Sequence, residues 1–130
     1  MSARFIHLHL HTEFSLADST IRVPEKPDEA RPEKAKRPNV LSRAMEMRLP
    51  ALAVTDRNNL FALVKFYKAA ESVGIKPIAG ADLSILDGKE NPWRLPLLCR
   101  DHSGYLSLSR LLTRAWMEGH HADGVAISPQ

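Results

Sequence analysis

At 130 residues the chain can build one hydrophobic core or form part of a larger domain. Its 44% hydrophobic and 25% charged residues read as an ordinary soluble protein, and no window approaches the apolar length that a bilayer span requires. The single cysteine, Cys99, rules out an internal disulfide and any cysteine cluster for zinc, and a net charge of +3 with both signs interspersed permits nucleic acid nearby without arguing for it.

The start of the chain has no cationic-then-apolar leader, so a cytoplasmic location is expected. Alternation of apolar and polar residues over 4–10 predicts a first strand. On it, His7, His9 and His11 point to one side while Ile6, Leu8 and Leu10 pack on the other. Imidazoles gathered at a strand end suit a divalent metal, and burying three without partners is costly. The alternative is a polar strand face with solvated histidines. Half of the six histidines fall within five positions, which places the metal-type site first.

Residues 22–39 carry Pro24, Pro27, Pro32 and Pro38 among mixed charges and few apolar residues, which predicts an exposed loop. Asn39 then caps a helix with Val40, Leu41, Ala44 and Met45 on one face, and Pro50 bars its continuation. The apolar run Ala51-Leu52-Ala53-Val54-Thr55 predicts a strand covered on both faces, with Asp56 at its end. Asn58 or Asn59 caps the next helix, with Leu60, Leu63, Val64 and Tyr67 as its core stripe and Gly74 as its left-handed stop.

A third strand is expected over 76–83, interrupted by Gly80. Asp87-Gly88-Lys89 reads as a turn before a strand over 93–99. Asp101 or Ser103 opens a last helix with Tyr105, Leu108, Leu111, Leu112 and Ala115 inward, while 118–130 show no periodicity. Repeated β-loop-α units predict an α/β architecture with parallel strands, in which chemistry gathers at the carboxyl ends of strands. His9, His11, Asp56 and Asp82 are therefore expected to share one rim. Cys99 is expected to be a buried inert thiol, His120 and His121 to be solvated, and Trp93 and Trp116 to pack.

Three ordered motifs carry a resemblance: His9-Leu10-His11 with Ser15, Leu52-Ala53-Val54-Thr55-Asp56 with Asn59-Leu60, and Gly74-Ile75-Lys76-Pro77-Ile78-Ala79-Gly80-Ala81-Asp82. Together they resemble the opening motifs of the polymerase and histidinol phosphatase (PHP) domain family. The phrase over 60–70 resembles the branch found at the amino terminus of bacterial DNA polymerase III alpha subunits. The resemblance implies a distorted (βα)-type barrel whose rim holds divalent metals, manganese, zinc or magnesium, in active members. It carries a first metal-binding pair onto His9 and His11, and the acid of a Thr-Asp-His-Gly-Asn motif onto Asp56. His7 falls where phosphatase-type members place an acid and remains a rim residue without an assigned role.

This sequence departs from the family pattern at two positions. The histidine expected after Asp56 is Arg57, and the glutamate expected in Gly-x-Glu is Asp82. An arginine offers no lone pair, and its charge repels a nearby dication by several kcal/mol, with roughly 4 kcal/mol per unit charge at 4 Å and an effective dielectric near 20. Arg57 is expected to replace the metal electrostatically among Asp56, Asp82 and the histidines, leaving a degenerate site; the alternative is that Arg57 points to solvent and metal still binds the other groups.

Two main functions follow from the resemblance. In one, the chain is a structural module of a replicative polymerase alpha chain that packs on the polymerase body and docks a proofreading exonuclease subunit, with no confident cofactor and DNA met only through the parent enzyme. In the other, it is a metal-dependent 3′–5′ exonuclease or phosphoesterase. A small-molecule phosphatase of the histidinol phosphate type ranks below both. No palm-type carboxylate cluster for nucleotidyl transfer is identifiable, so polymerase activity is not expected of residues 1–130. Roughly three or four βα units cannot close a barrel of the usual kind, so an incomplete barrel with an exposed apolar edge and low stability is expected.

Overall fold

The computed structural model describes residues 5–88, 91–121 and 124–129. Arg4 of the expected first strand, Lys89 of the expected turn and Gln130 of the tail lie outside them.

Asn39 starts the first regular element, as its side chain suggests. From extended backbone it accepts the amides of Leu41 and Ser42, and the Ser42 hydroxyl takes the Asn39 amide in return. Helix α1 (Val40–Glu46) follows and buries Leu41 and Ala44. Strand β1 (Ala51–Arg57) is buried over its first six residues. It pairs in parallel with β2 (Lys76–Ile85), in a register running from Ala51 opposite Lys76 to Arg57 opposite Asp82.

Helix α2 (Leu63–Ser72) makes the crossover between them, and Gly74, at φ +73°, ends it in the left-handed region. Its start and its face differ from the sequence expectation. Asn59 accepts the Phe61 amide and donates to the carbonyls of Phe14 and Arg57, so it forms a turn and the helix begins later. Phe66, Ala69 and Ala70 are buried, whereas Val64 and Tyr67 are 64% and 44% exposed.

The cover over Phe66 comes partly from the proline-rich segment. A one-turn 3-10 helix (Pro27–Ala30) packs on α2, and Val23 and Ala30 join the core around Phe66 and Leu41. The charges of 22–39 are largely exposed, but this loop contributes to the core rather than merely lying over it.

Strand β3 (Trp93–Leu98) runs antiparallel to β2, not parallel as the repeated units suggested. Residues 86–92 are too few for a crossover, which needs about a dozen, and suffice for a hairpin. Gly80 is required where these strands meet: a Cβ there would lie 2.5 Å from the Leu97 carbonyl oxygen.

Helix α3 (His102–Glu118) is capped by Asp101 and lays Leu108, Leu112 and Ala115 on Ala81, Leu83 and Ile85. A short hairpin of β4 (His120–His121) and β5 (Gly124–Val125) returns the tail, and Ile127 bonds the Ser84 carbonyl beside the end of β2. Among the described residues the sheet has the order β1-β2-β3 and does not close.

Residue alternation and register place Leu52, Val54, Ala81, Leu83 and Ile85 on one face of this sheet, and the three helices pack there. Asp82, Ser84 and Arg94 lie on the opposite face. No helix among the described residues is long and apolar enough to cross a membrane.

Candidate functional site

Residues 7–10 run beside the free edge of β1. The Ala53 amide donates to the His7 carbonyl at 3.0 Å, and the Thr55 amide donates to the Leu10 carbonyl at 2.8 Å. Two residues on β1 thus span three on the partner, the mark of a bulge, and no regular strand is assigned over 5–10. The extra residue reverses the alternation between His7 and His9. His7 turns towards Leu10, Val40 and Leu52 and stacks edge-on against Phe5, away from His9 and His11. Leu8, at 49% exposed, does not pack as the alternation implied.

His9 and His11 converge on Asp82 from this bulged segment. Their Nε2 atoms lie 3.0 and 2.9 Å from the same carboxylate oxygen, Oδ2. The two rings meet edge to face with centroids 5.2 Å apart. Asp82 is fully buried at the side chain while His9 stays half exposed, so the pair forms a rim opening to solvent. The other oxygen of Asp82, Oδ1, is buried with no hydrogen-bond partner among the described residues.

Asp56 occupies a different environment. Register puts it opposite Ala81, on the helix-bearing face, while its neighbour Arg57 stands opposite Asp82. Asp56 is buried and accepts three hydrogen bonds. Its Oδ1 accepts the Thr12 amide at 2.6 Å and the Ser15 hydroxyl at 2.7 Å, and its Oδ2 accepts the Thr12 hydroxyl at 2.8 Å. The Ser15 oxygen in turn accepts the Arg57 amide at 2.9 Å. This carboxylate ties the loop after His11 around the edge of β1.

The Arg57 guanidinium finds its partner in neither Asp56 nor Asp82. It reaches Asp18 at 3.1 Å, where Arg94 approaches at 3.6 Å and His11 Nδ1 at 3.6 Å. His11 is therefore flanked by two carboxylates, Asp82 on its Nε2 side and Asp18 on its Nδ1 side. Asp18 is itself shared with two arginines. Sequence reading did not single out Thr12, Asp18 or Arg94. The signal for Arg94 was available in a hairpin register, since it stands opposite Ser84 on the face of Asp82.

Among the described residues, the clustered atoms that could hold a cation belong to His9, His11 and Asp82, one from each, all within 4.8 Å of one another. Two imidazole nitrogens and a carboxylate suit zinc or manganese better than calcium. The unpartnered Asp82 Oδ1 fits such an ion, whereas the arginines beyond Asp18 oppose it. Asp56 is not among these clustered donors.

The chain is 67% identical over 129 residues to the DNA polymerase III subunit alpha of Xylella fastidiosa (strain 9a5c), a match that covers 98% of this chain and 11% of that protein. The Pseudomonas aeruginosa subunit of the same name is 42% identical over 130 residues, covering 98% of the chain and 10% of the relative. That of Escherichia coli (strain K12) is 36% identical over 127 residues, covering 95% and 10%. The chain thus spans about a tenth of the length of these curated relatives. The PHP domain family matches residues 7–128, from the bulged histidine segment to the strand-like tail. With that match running over nearly all its length, the chain belongs to the PHP domain family.

Proposed function

We propose that this chain is the PHP segment of a replicative DNA polymerase III alpha chain, a structural module that packs on the polymerase body and docks the proofreading exonuclease subunit, with a metal site that has decayed. The observation that carries this reading is the position of Arg57. Where the family pattern has a histidine, a guanidinium stands on the face of Asp82 and is tied to Asp18 beside His11. It removes one ligand and adds a fixed positive charge next to the remaining three. Asp56, hydrogen-bonded to Thr12 and Ser15, serves the loop instead of an ion.

A second reading, a metal-dependent phosphoesterase or 3′–5′ exonuclease, is supported by the three donor atoms of His9, His11 and Asp82 and by the unpartnered Asp82 oxygen. Metal content and manganese titration of the alpha chain carrying this segment separate the two. The decayed site predicts no stoichiometric metal in the wild type, and manganese binding in the Arg57→His, Asp82→Glu double variant. Retention of one manganese or zinc per wild-type chain, at micromolar affinity or better, overturns the module reading in favour of the enzyme.

A further inference from the structure

A groove of about 760 Å³ opens between α2 and the start of α3, at the end of the sheet where β1 and β2 begin. It lies at the opposite end of these strands from Asp82. On the helix-bearing face its floor is apolar, with Leu63, Pro77 and Ala79, and its walls carry Val64, Tyr67 and Tyr105. Val64 and Tyr67 are the large residues that α2 leaves outside its own core, and among the described residues nothing covers the apolar surface they give the groove.

Charge defines what would cover it. Lys68, Lys76 and Arg100 line the same groove, and among the described residues none of them makes an ion pair. The groove also holds one acid, Asp101, which caps α3 by accepting the Gly104 amide at 2.9 Å. Three cations against the single Asp101 carboxylate leave the lining net positive, and that charge around an aliphatic floor is complementary to apolar side chains flanked by carboxylates. Nucleic acid would be drawn by the cations but offers no more than a thymine methyl to an aliphatic floor.

We infer that this groove docks an acidic segment of a partner protein, seating apolar side chains on Leu63, Val64 and Tyr67 while its carboxylates meet Lys68, Lys76 and Arg100. The inference rests on the docking half of the proposed function and is independent of the metal rim. Tyrosine and arginine, both in this lining, are residue types enriched at binding hot spots. A partner seated here leaves His9, His11 and Asp82 open at the other end.

The test titrates the full chain, by fluorescence anisotropy, with a labelled helical peptide of leucines and glutamates and with its lysine counterpart. The glutamate peptide is expected to bind roughly tenfold tighter or better, and to weaken as salt rises. The Lys68→Glu, Arg100→Glu variant should reverse that preference, and the Val64→Ser, Tyr67→Ser variant should weaken both peptides; all four residues are exposed, so the fold is retained. Equal binding of the two peptides, or indifference to either variant, overturns the inference. So does displacement of the peptide by a single-stranded DNA oligonucleotide at lower concentration, or a wild-type dimer that both variants dissolve. Co-sedimentation of the wild-type chain with the exonuclease subunit keeps the readings apart: binding there with no peptide preference rejects this groove while leaving docking elsewhere.

Discussion

Arg57 is the residue that faces Asp82 across the β1–β2 pairing, and Asp56, one position earlier, faces away from it. A period of two decides which of these sequence neighbours belongs to the histidine rim. The guanidinium beyond Asp18 should therefore be felt by an ion held by His9, His11 and Asp82. Arg57→Ala is expected to tighten manganese binding about fivefold, roughly 1 kcal/mol, read by competition with a chelating dye. An unchanged affinity would place Arg57 electrically outside the site.

Asp56 accepts three hydrogen bonds, all from the loop that follows His11. Replacing it with alanine leaves a buried amide and two hydroxyls without their acceptor. Asp56→Ala should cost about 3 kcal/mol in urea unfolding. A loss below about 1 kcal/mol would mean that the loop holds itself.

Asn58 sits at φ +52° and is buried. Its amide nitrogen donates to the Ser84 hydroxyl and the Val125 carbonyl, its oxygen accepts the Ser84 amide, and its own carbonyl accepts Trp116 Nε1 at 2.7 Å. Asn58→Asp keeps the acceptor but sets a carboxylate against the Val125 carbonyl. It should destabilise the chain by about 2 kcal/mol and speed hydrogen exchange at Ile127, whose amide bonds Ser84. Exchange at Ile127 as slow as in the wild type would show that the tail is held by other contacts.

Gly80→Ala is expected to be among the most damaging single-methyl changes in the chain. Its Cβ would meet backbone, the Leu97 carbonyl at 2.5 Å, as well as the side chains of Leu98 and Thr55. Backbone cannot swing aside, so β3 must move, at a cost of about 3 kcal/mol. Circular dichroism melts would report it, and an unshifted midpoint would show that β3 yields freely.

Cys99 titrates above an ordinary thiol, first because of its burial and second because Asp101 opposes a thiolate nearby. The thiolate therefore appears only at more alkaline pH, and the alkylation profile with iodoacetamide should be displaced upward. Asp101→Asn, which retains an oxygen for the Gly104 amide, should bring the profile part of the way back. A profile indifferent to that change would leave burial as the sole cause.

The parts of this fold set by local chemistry were legible in the sequence. Asn39, Asp101 and Gly74 announce their helix ends, and the apolar run of β1 and the tail of β2 announce two strands. What escaped depends on long-range partners. The buried side of α2 is chosen by Val23 and Ala30, from a segment whose prolines and charges advertise a solvated loop. The direction of β3 follows from connection length. At the site, His9, His11 and Asp82 were expected to meet and do meet; Asp56 was expected beside them and stands on the other face. His7 left the trio because a bulge adds one residue, and nothing in a pattern of alternating histidines encodes where a ladder will slip.

Because α1, α2 and α3 all pack on one face of the sheet while Asp82, Arg57 and Arg94 lie on the other, the molecule has a helix-bearing side and a side that carries the histidine rim. A fluorophore, surface tether or crosslinker placed on the outer helix positions would report on the histidine rim without touching it. The same separation lets a lineage discard or rebuild chemistry at that rim by changing a few side chains, with the helices, and whatever they hold, left as they are.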